Sequence, residues 1–124
     1  MSFFKEIKDN IKSFSKNDII VIFAVFLLDR ITKIWATNYL ISIKSGGIEI
    51  FKYFHLTFVA NHGAAFGIMQ QSNFALLFIT LLVLFALVWL KTDVASLGKK
   101  ANLGYLLIFA GGLGNLYDRV LLGY

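Results

Sequence analysis

From Phe74 to Leu90 the chain runs seventeen residues with Thr80 as the sole polar side chain, and Trp89 and Lys91 mark the far end of the run. A helix on the surface of a soluble domain carries a polar stripe along one side, and this stretch has none. It belongs in a large core or in lipid. A chain of 124 residues with 58% hydrophobic and only 15% charged residues has too much apolar surface for one small core, since soluble domains run near 45–50% apolar and about 25% charged. Phe contributes 13 residues, proline is absent and the mean hydropathy is +0.73. These features exclude soluble globular, disordered and collagenous classes and point to an integral membrane protein. At about 20 residues per spanning helix the length allows three or four spans and no separate soluble domain.

The other segments arrange themselves around that run. Residues 1–18 place Phe3, Phe4, Ile7, Ile11 and Phe14 on one helical face and Lys5, Lys8, Lys12 and Lys16 around the other, which fits equally a segment lying in an anionic interface and a frayed basic leader. The apolar run Ile19–Leu28 is too short to span alone, but carried through Asp29, Arg30 and Lys33 to Leu40 it is long enough. No small-x-small cleavage site follows it, which argues against a cleaved leader. Residues 41–61 alternate partially, with Ile41, Ile43, Ile48, Ile50, Phe54, Leu56 and Phe58 flanking the turn signal Ser45-Gly46-Gly47, and read as two short strands or a hairpin. The expected helices are 19–40, 72–91 and 103–120, with a polar, basic loop at 92–102. The expected fold is an all-α membrane bundle with a small β-structure and a loop over 41–71.

The chain carries 12 Lys and Arg against 7 Asp and Glu, net +5. Three spans put the N-terminal lysines and Lys91, Lys99 and Lys100 on one side, the cytoplasm by the positive-inside rule. That rule accounts for the basic balance, and with no basic face interleaved by aromatics nucleic acid is not an expected partner. The same topology brings the Asp29/Arg30 region, the hairpin and Asp118/Arg119 to the outer face. Cysteine is absent and the histidines are His55 and His62, so no metal site is expected.

Ionisable groups in or at the rim of a membrane cost about 2.5–3.5 kcal/mol each at its centre and are functional candidates by default. Two clusters qualify. Asp29-Arg30-Ile31-Thr32-Lys33 allows Asp29 and Lys33 to pair four residues apart. The second is Gly111–Arg119, where Gly111, Asn115 and Asp118 continue from Gly104 at steps of seven, four and three, a small-residue stripe for close helix approach. Between the clusters lies Asn61-His62-Gly63-Ala64-Ala65-Phe66-Gly67, where Gly63 permits positive φ and Asn61 offers both donor and acceptor. Taken alone, each cluster also reads as a helix end anchored in headgroups or a packing stripe, and Asn61–Gly67 as a turn. The residues by themselves allow Asp29 and Asp118 to form a proton-sharing acid pair, or to serve a small ion-coupled transporter or membrane scaffold.

Three blocks taken together, DRITK at Asp29–Lys33, NHGAAF at Asn61–Phe66 and GGLGNLYDR at Gly111–Arg119, resemble lipoprotein signal peptidase, the signal peptidase II family, over roughly residues 17–124. The resemblance implies a bacterial inner-membrane aspartic endopeptidase with four transmembrane helices, cytoplasmic termini and a periplasmic β-cradle. Such enzymes remove the signal peptide from prolipoproteins ahead of a diacylglyceryl-modified cysteine, and need no metal or organic cofactor. Among the matching positions, Asn61, Asn115 and Arg119 are implied to line the substrate site, with Asp29, Lys33, Gly63 and Asp118 supporting it. Arg30 stands where the family usually has Gln, adding a charge beside Asp29.

The family's catalytic aspartates lie in a V-x-D-F stretch after the DR block and in an N-x-A-D motif on a fourth helix, and no residue of these 124 matches either. Asp118 is therefore near the chemistry without performing it. The expectation is a truncated form without proteolytic activity, three helices standing where the family has four. Its Gly104/Gly111/Asn115/Asp118 stripe would lack part of its packing partner, and the isolated 124-residue form should show lower stability or non-native association in detergent.

Overall fold

The computed structural model describes residues 2–43, 47–59 and 73–124. In chain order the elements are α1 (Phe3–Lys12), α2 (Lys16–Ser42), the strands β1 (Gly47–Phe51) and β2 (Phe54–Thr57), α3 (Asn73–Trp89), α4 (Lys91–Ser96) and α5 (Lys99–Tyr117), with a π-helical turn over Asp118–Leu122. α5 is the central element, packing against α2 on one side and α3 on the other. Its buried residues Tyr105, Leu106, Ala110 and Gly114, together with Leu76 and Leu84 of α3, form a thin core. Most other large apolar side chains of the helices, among them Phe23, Leu28, Trp35, Phe74, Phe78 and Ile108, point outward.

The helix bodies fall where the apolar runs place them, with shifted ends. Among the described residues no helix is both long and apolar enough to cross a membrane. The most apolar, α3, has 17 residues, a length of about 26 Å against a hydrocarbon core of about 30 Å. α2 has 27 residues but carries Asp29, Arg30 and Lys33 in its middle. In α5, glycines and Lys99 and Lys100 dilute the apolar content. The three-span expectation thus meets three helices, none of which meets the requirement for spanning by itself.

The hairpin is present but turns elsewhere. Ile41 belongs to α2, and the antiparallel strands pair Gly47 with Thr57, Ile48 with Leu56, Glu49 with His55 and Phe51 with Phe54. The reversal is made by Lys52-Tyr53; Ser45 and Gly46 lie outside the described residues, and Gly47 opens β1. The break in alternation at Phe51 and Tyr53 is therefore the turn itself, and a bulge between Glu49 and Phe51 shifts the register just before it.

The largest departure is at the end carrying α1 and α4, where a polar loop was expected at 92–102. Ser15 caps α2 by a reciprocal box: its hydroxyl accepts from the Asp18 amide at 3.1 Å, and the Asp18 carboxylate accepts from the Ser15 amide at 3.1 Å. That carboxylate also takes Lys91 at 3.0 Å and the Asn102 side-chain amide at 2.9 Å, while Lys91 donates to Asn102 at 2.8 Å. Lys91 is only 1% exposed, with its ammonium 5.1 Å from the Phe14 ring and 5.6 Å from Tyr105. Asn10 fastens α1 alongside, donating to the Trp89 carbonyl at 2.9 Å and accepting from the Thr92 amide and hydroxyl. The docked face of α1 is thus Phe3, its ring 5.1 Å from that of Trp89 and tilted to it by 35°, and Asn10, with Phe14 following; Phe4 and Ile11 remain exposed.

Burial alone would raise the Asp18 carboxyl, but the hydrogen bonds from Lys91, Asn102 and the Ser15 amide together hold it below the ordinary carboxylate value. Because the folded value is depressed, the stabilisation is present at neutral pH and is lost as pH falls below about 4 toward the folded value. Asp18→Ala should destabilise the chain by about 3–5 kcal/mol by stranding the Lys91 charge. The double variant Asp18→Ala/Lys91→Met should recover much of that loss and flatten the acid limb of a thermal-unfolding series in detergent. Unchanged acid sensitivity in the double variant would refute the assignment.

Candidate functional site

The site is built where α2 crosses the C-terminal end of α5. One helical turn on α2 sets Asp29 and Lys33 four residues apart, and their side chains meet at 3.1 Å. The π-helical turn after Tyr117 brings Asp118 toward both cations: Lys33 reaches it at 2.7 Å and Arg30 at 2.5 Å. Arg30 also holds Asp29 at 2.8 Å. The four side chains form a closed cycle in which each carboxylate touches both cations and each cation both carboxylates. Formal charges cancel, so Asp29 and Asp118 are compensated by Arg30 and Lys33 rather than arranged as an isolated acid pair. The Arg30 guanidinium lies over the Tyr117 ring, 4.6 Å from its centroid.

Gly114 makes this geometry possible. A Cβ at position 114 would collide with the Asp29 carboxylate, and one at Gly112 would come within 2.9 Å of Leu84 on α3. Gly104 and Gly111, on the stripe expected to admit a neighbour, have open space around them. The packing glycines are therefore Gly112 and Gly114, which open α5 toward α3 and α2 respectively.

Asn115 lies on the same turn, with its side-chain oxygen 3.5 Å from Lys33. Arg119 follows, donating to the Asn115 carbonyl at 3.1 Å, and its own carbonyl accepts from the Asn73 side chain at 3.1 Å. The start of α3 is thereby tied to the π-helical turn. The Nε of Arg119 is buried and has no hydrogen-bond partner among the described residues. Beside these groups is a cavity of about 530 Å³. Lys33, Asn115, Asp118 and Arg119 line one wall; Thr57, Phe58 and Val59, leaving the hairpin, line the other. Five expected site residues, Asp29, Lys33, Asn115, Asp118 and Arg119, thus come together. Asn61 and Gly63 lie outside the described residues, although Val59, two positions before Asn61, is on the cavity wall. Arg30, a member of the Asp29–Lys33 cluster in the sequence but not one of its expected site residues, completes the ion cycle.

A family model described as Signal peptidase (SPase) II matches residues 21–124. The chain belongs to the signal peptidase II family. It is similar to the lipoprotein signal peptidase of Clostridioides difficile (strain 630), 40% identical over 107 residues, covering 86% of this chain and 70% of that one. The lipoprotein signal peptidase of Clostridium acetobutylicum is 41% identical over 108 residues, covering 86% and 69%. That of Caldanaerobacter subterraneus subsp. tengcongensis is 42% identical over 109 residues, covering 86% and 71%. No solved structure matches the chain significantly. The signal peptidase II match takes in both sides of the ion cycle, the hairpin and the cavity, and leaves out α1.

Gly114→Ala should force the α2–α5 crossing apart and cost about 1–3 kcal/mol, as overpacking does. Gly104→Ala and Gly111→Ala should be neutral or slightly stabilising, by up to about 1 kcal/mol of helix propensity. Thermal unfolding of the three variants in one detergent makes the comparison. Equal tolerance at 114 and 104 would show that the close approach does not hold the crossing.

Proposed function

We propose that the protein acts in removing signal peptides from diacylglyceryl-modified prolipoproteins in the bacterial inner membrane, as an aspartic endopeptidase. The observation that carries this reading is the meeting of Asn115 and Arg119 at one cavity, in a chain that belongs to the signal peptidase II family. Asn115, Arg119 and Asn61 hold the substrate backbone, the half-buried Arg119 guanidinium offering donors to carbonyl oxygens. Asp29, Lys33 and Asp118, joined by Arg30, fix the turn that presents Asn115 and Arg119, and Gly63 shapes the approach to Asn61. In the proposed arrangement residues 19–40, 72–91 and 103–120 are the membrane segments. The N-terminus lies in the cytoplasm and the cavity faces the periplasm, in keeping with the lysines of α1 and of residues 91–100.

The family resemblance implies that the two aspartates that cut the peptide lie in V-x-D-F and N-x-A-D motifs, while Asn61, Asn115 and Arg119 bind and orient the substrate. A gene product that carries both motifs should process a lipid-modified prolipoprotein, and one in which either motif's aspartate is replaced should leave it uncut. In that active form Arg119→Ala should lower kcat/KM by about tenfold or more, the worth of a charged hydrogen bond, and Asn61→Ala should weaken processing in the same direction. Processing that is absent in the active form, or indifferent to Arg119→Ala, would overturn the reading.

A further inference from the structure

The reversal between β1 and β2 is made of Phe51-Lys52-Tyr53-Phe54, whereas tight hairpin turns normally use Gly, Asn or Asp. The tip is apolar and uncovered. Tyr53 is 83% and Phe51 62% exposed, and the rings of Phe51 and Phe54 stack at 5.3 Å across the strands. The Lys52 ammonium stands 5.4 Å from the Tyr53 ring. The polar pair of the hairpin, Glu49 and His55, lies behind the tip. An isolated two-stranded hairpin is marginal in water and needs a surface to pack on.

A second aromatic group lies on α2, where Trp35 and Tyr39 stack at 5.4 Å with their rings nearly parallel and Trp35 65% exposed. The strand leaving the hairpin, at Thr57–Val59, shares the cavity with Ile34, Thr37 and Asn38 of that same stretch of α2. Exposed Trp and Tyr concentrate at the headgroup level of a bilayer, where the ring is shielded and the polar edge is wet. A lysine among them adds attraction to anionic headgroups.

We propose that the Phe51–Phe54 tip is a membrane-interface anchor that enters the headgroup boundary of an anionic bilayer, continuing the belt begun by Trp35 and Tyr39. The inference rests on the membrane reading given above. Its consequence is positional: because β2 runs directly into the cavity wall, the depth of the tip sets the depth of that wall relative to the lipid.

The 124 residues contain no cysteine, so single labels can be introduced by Tyr53→Cys, Phe51→Cys and, as a polar control, His55→Cys. The spin-labelled gene product is placed in vesicles of phosphatidylglycerol and phosphatidylcholine, and collision with oxygen is compared with collision with an aqueous nickel chelate. Labels at 53 and 51 should favour oxygen and the label at 55 the nickel chelate. Lys52→Glu should swing position 53 toward the chelate in vesicles containing phosphatidylglycerol and not in pure phosphatidylcholine. Labels at 53 and 51 as open to the chelate as that at 55, in protein that resists carbonate extraction, would overturn the anchor and leave the membrane reading standing. Extraction of the protein by carbonate would overturn both. An unshifted label in Lys52→Glu would remove the anionic lipid from the proposal.

Discussion

The structure depends on one arrangement of charge, the cycle of Asp29, Arg30, Lys33 and Asp118 that joins the middle of α2 to the end of α5. Buried charges are costly to desolvate, and a single pair often fails to recover that cost. Here each group has two partners of opposite sign at 2.5–3.1 Å, so removing any one leaves the other three with one uncompensated unit of charge. The cycle holds the π-helical turn in the one place where Asn115 and Arg119 can line a cavity. Gly114 is its silent member, since only a missing side chain lets the Asp29 carboxylate lie against α5.

A second polar node sits at the other end of the helices. Asp18, Lys91 and Asn102 gather the beginnings of α2, α4 and α5, and Asn10 adds α1. Between the nodes the contacts are apolar, through Leu76, Leu84, Leu106 and Ala110. Apolar side chains gain little from meeting one another when the surroundings are equally apolar, and close packing with polar pairing then supplies the specificity. Fixed polar ends with smooth packing between them suit a bundle whose outer surface carries Phe23, Leu28, Phe74 and Phe78.

Much of the site was legible because its residues recur at helical spacing and sit at one end of the topology. Asp29 with Lys33, and Asn115 with Asp118, can be read as neighbours from numbers alone. The Asp18–Lys91–Asn102 node could not be, because its partners lie 73 and 84 positions from Asp18 and nothing local links them. One signal was available, Ser15 and Asp18 at capping-box spacing, which marks a helix start and hence an ordered Asp18. The stripe at steps of seven, four and three is half right: Asn115 and Asp118 do meet α2 at Lys33, but the glycines in close contact are Gly112 and Gly114, not Gly104 and Gly111. The hairpin turn was misplaced for a chemical reason, since Ser45-Gly46-Gly47 has ordinary turn residues and Phe51–Phe54 has none.

The two walls of the cavity differ in how they are held. The wall bearing Asn115 and Arg119 belongs to a helix fastened near both ends, at Asn102 by the Asp18 node and at Asp118 by the ion cycle. The opposite wall, Thr57–Val59, hangs from two short strands joined by one register of pairing and a bulge. Compliance is therefore unequally divided: the face bearing Asn115 and Arg119 is stiff, and the face that leaves the hairpin can yield. A cavity made this way can adapt its shape on one side without moving the polar groups on the other.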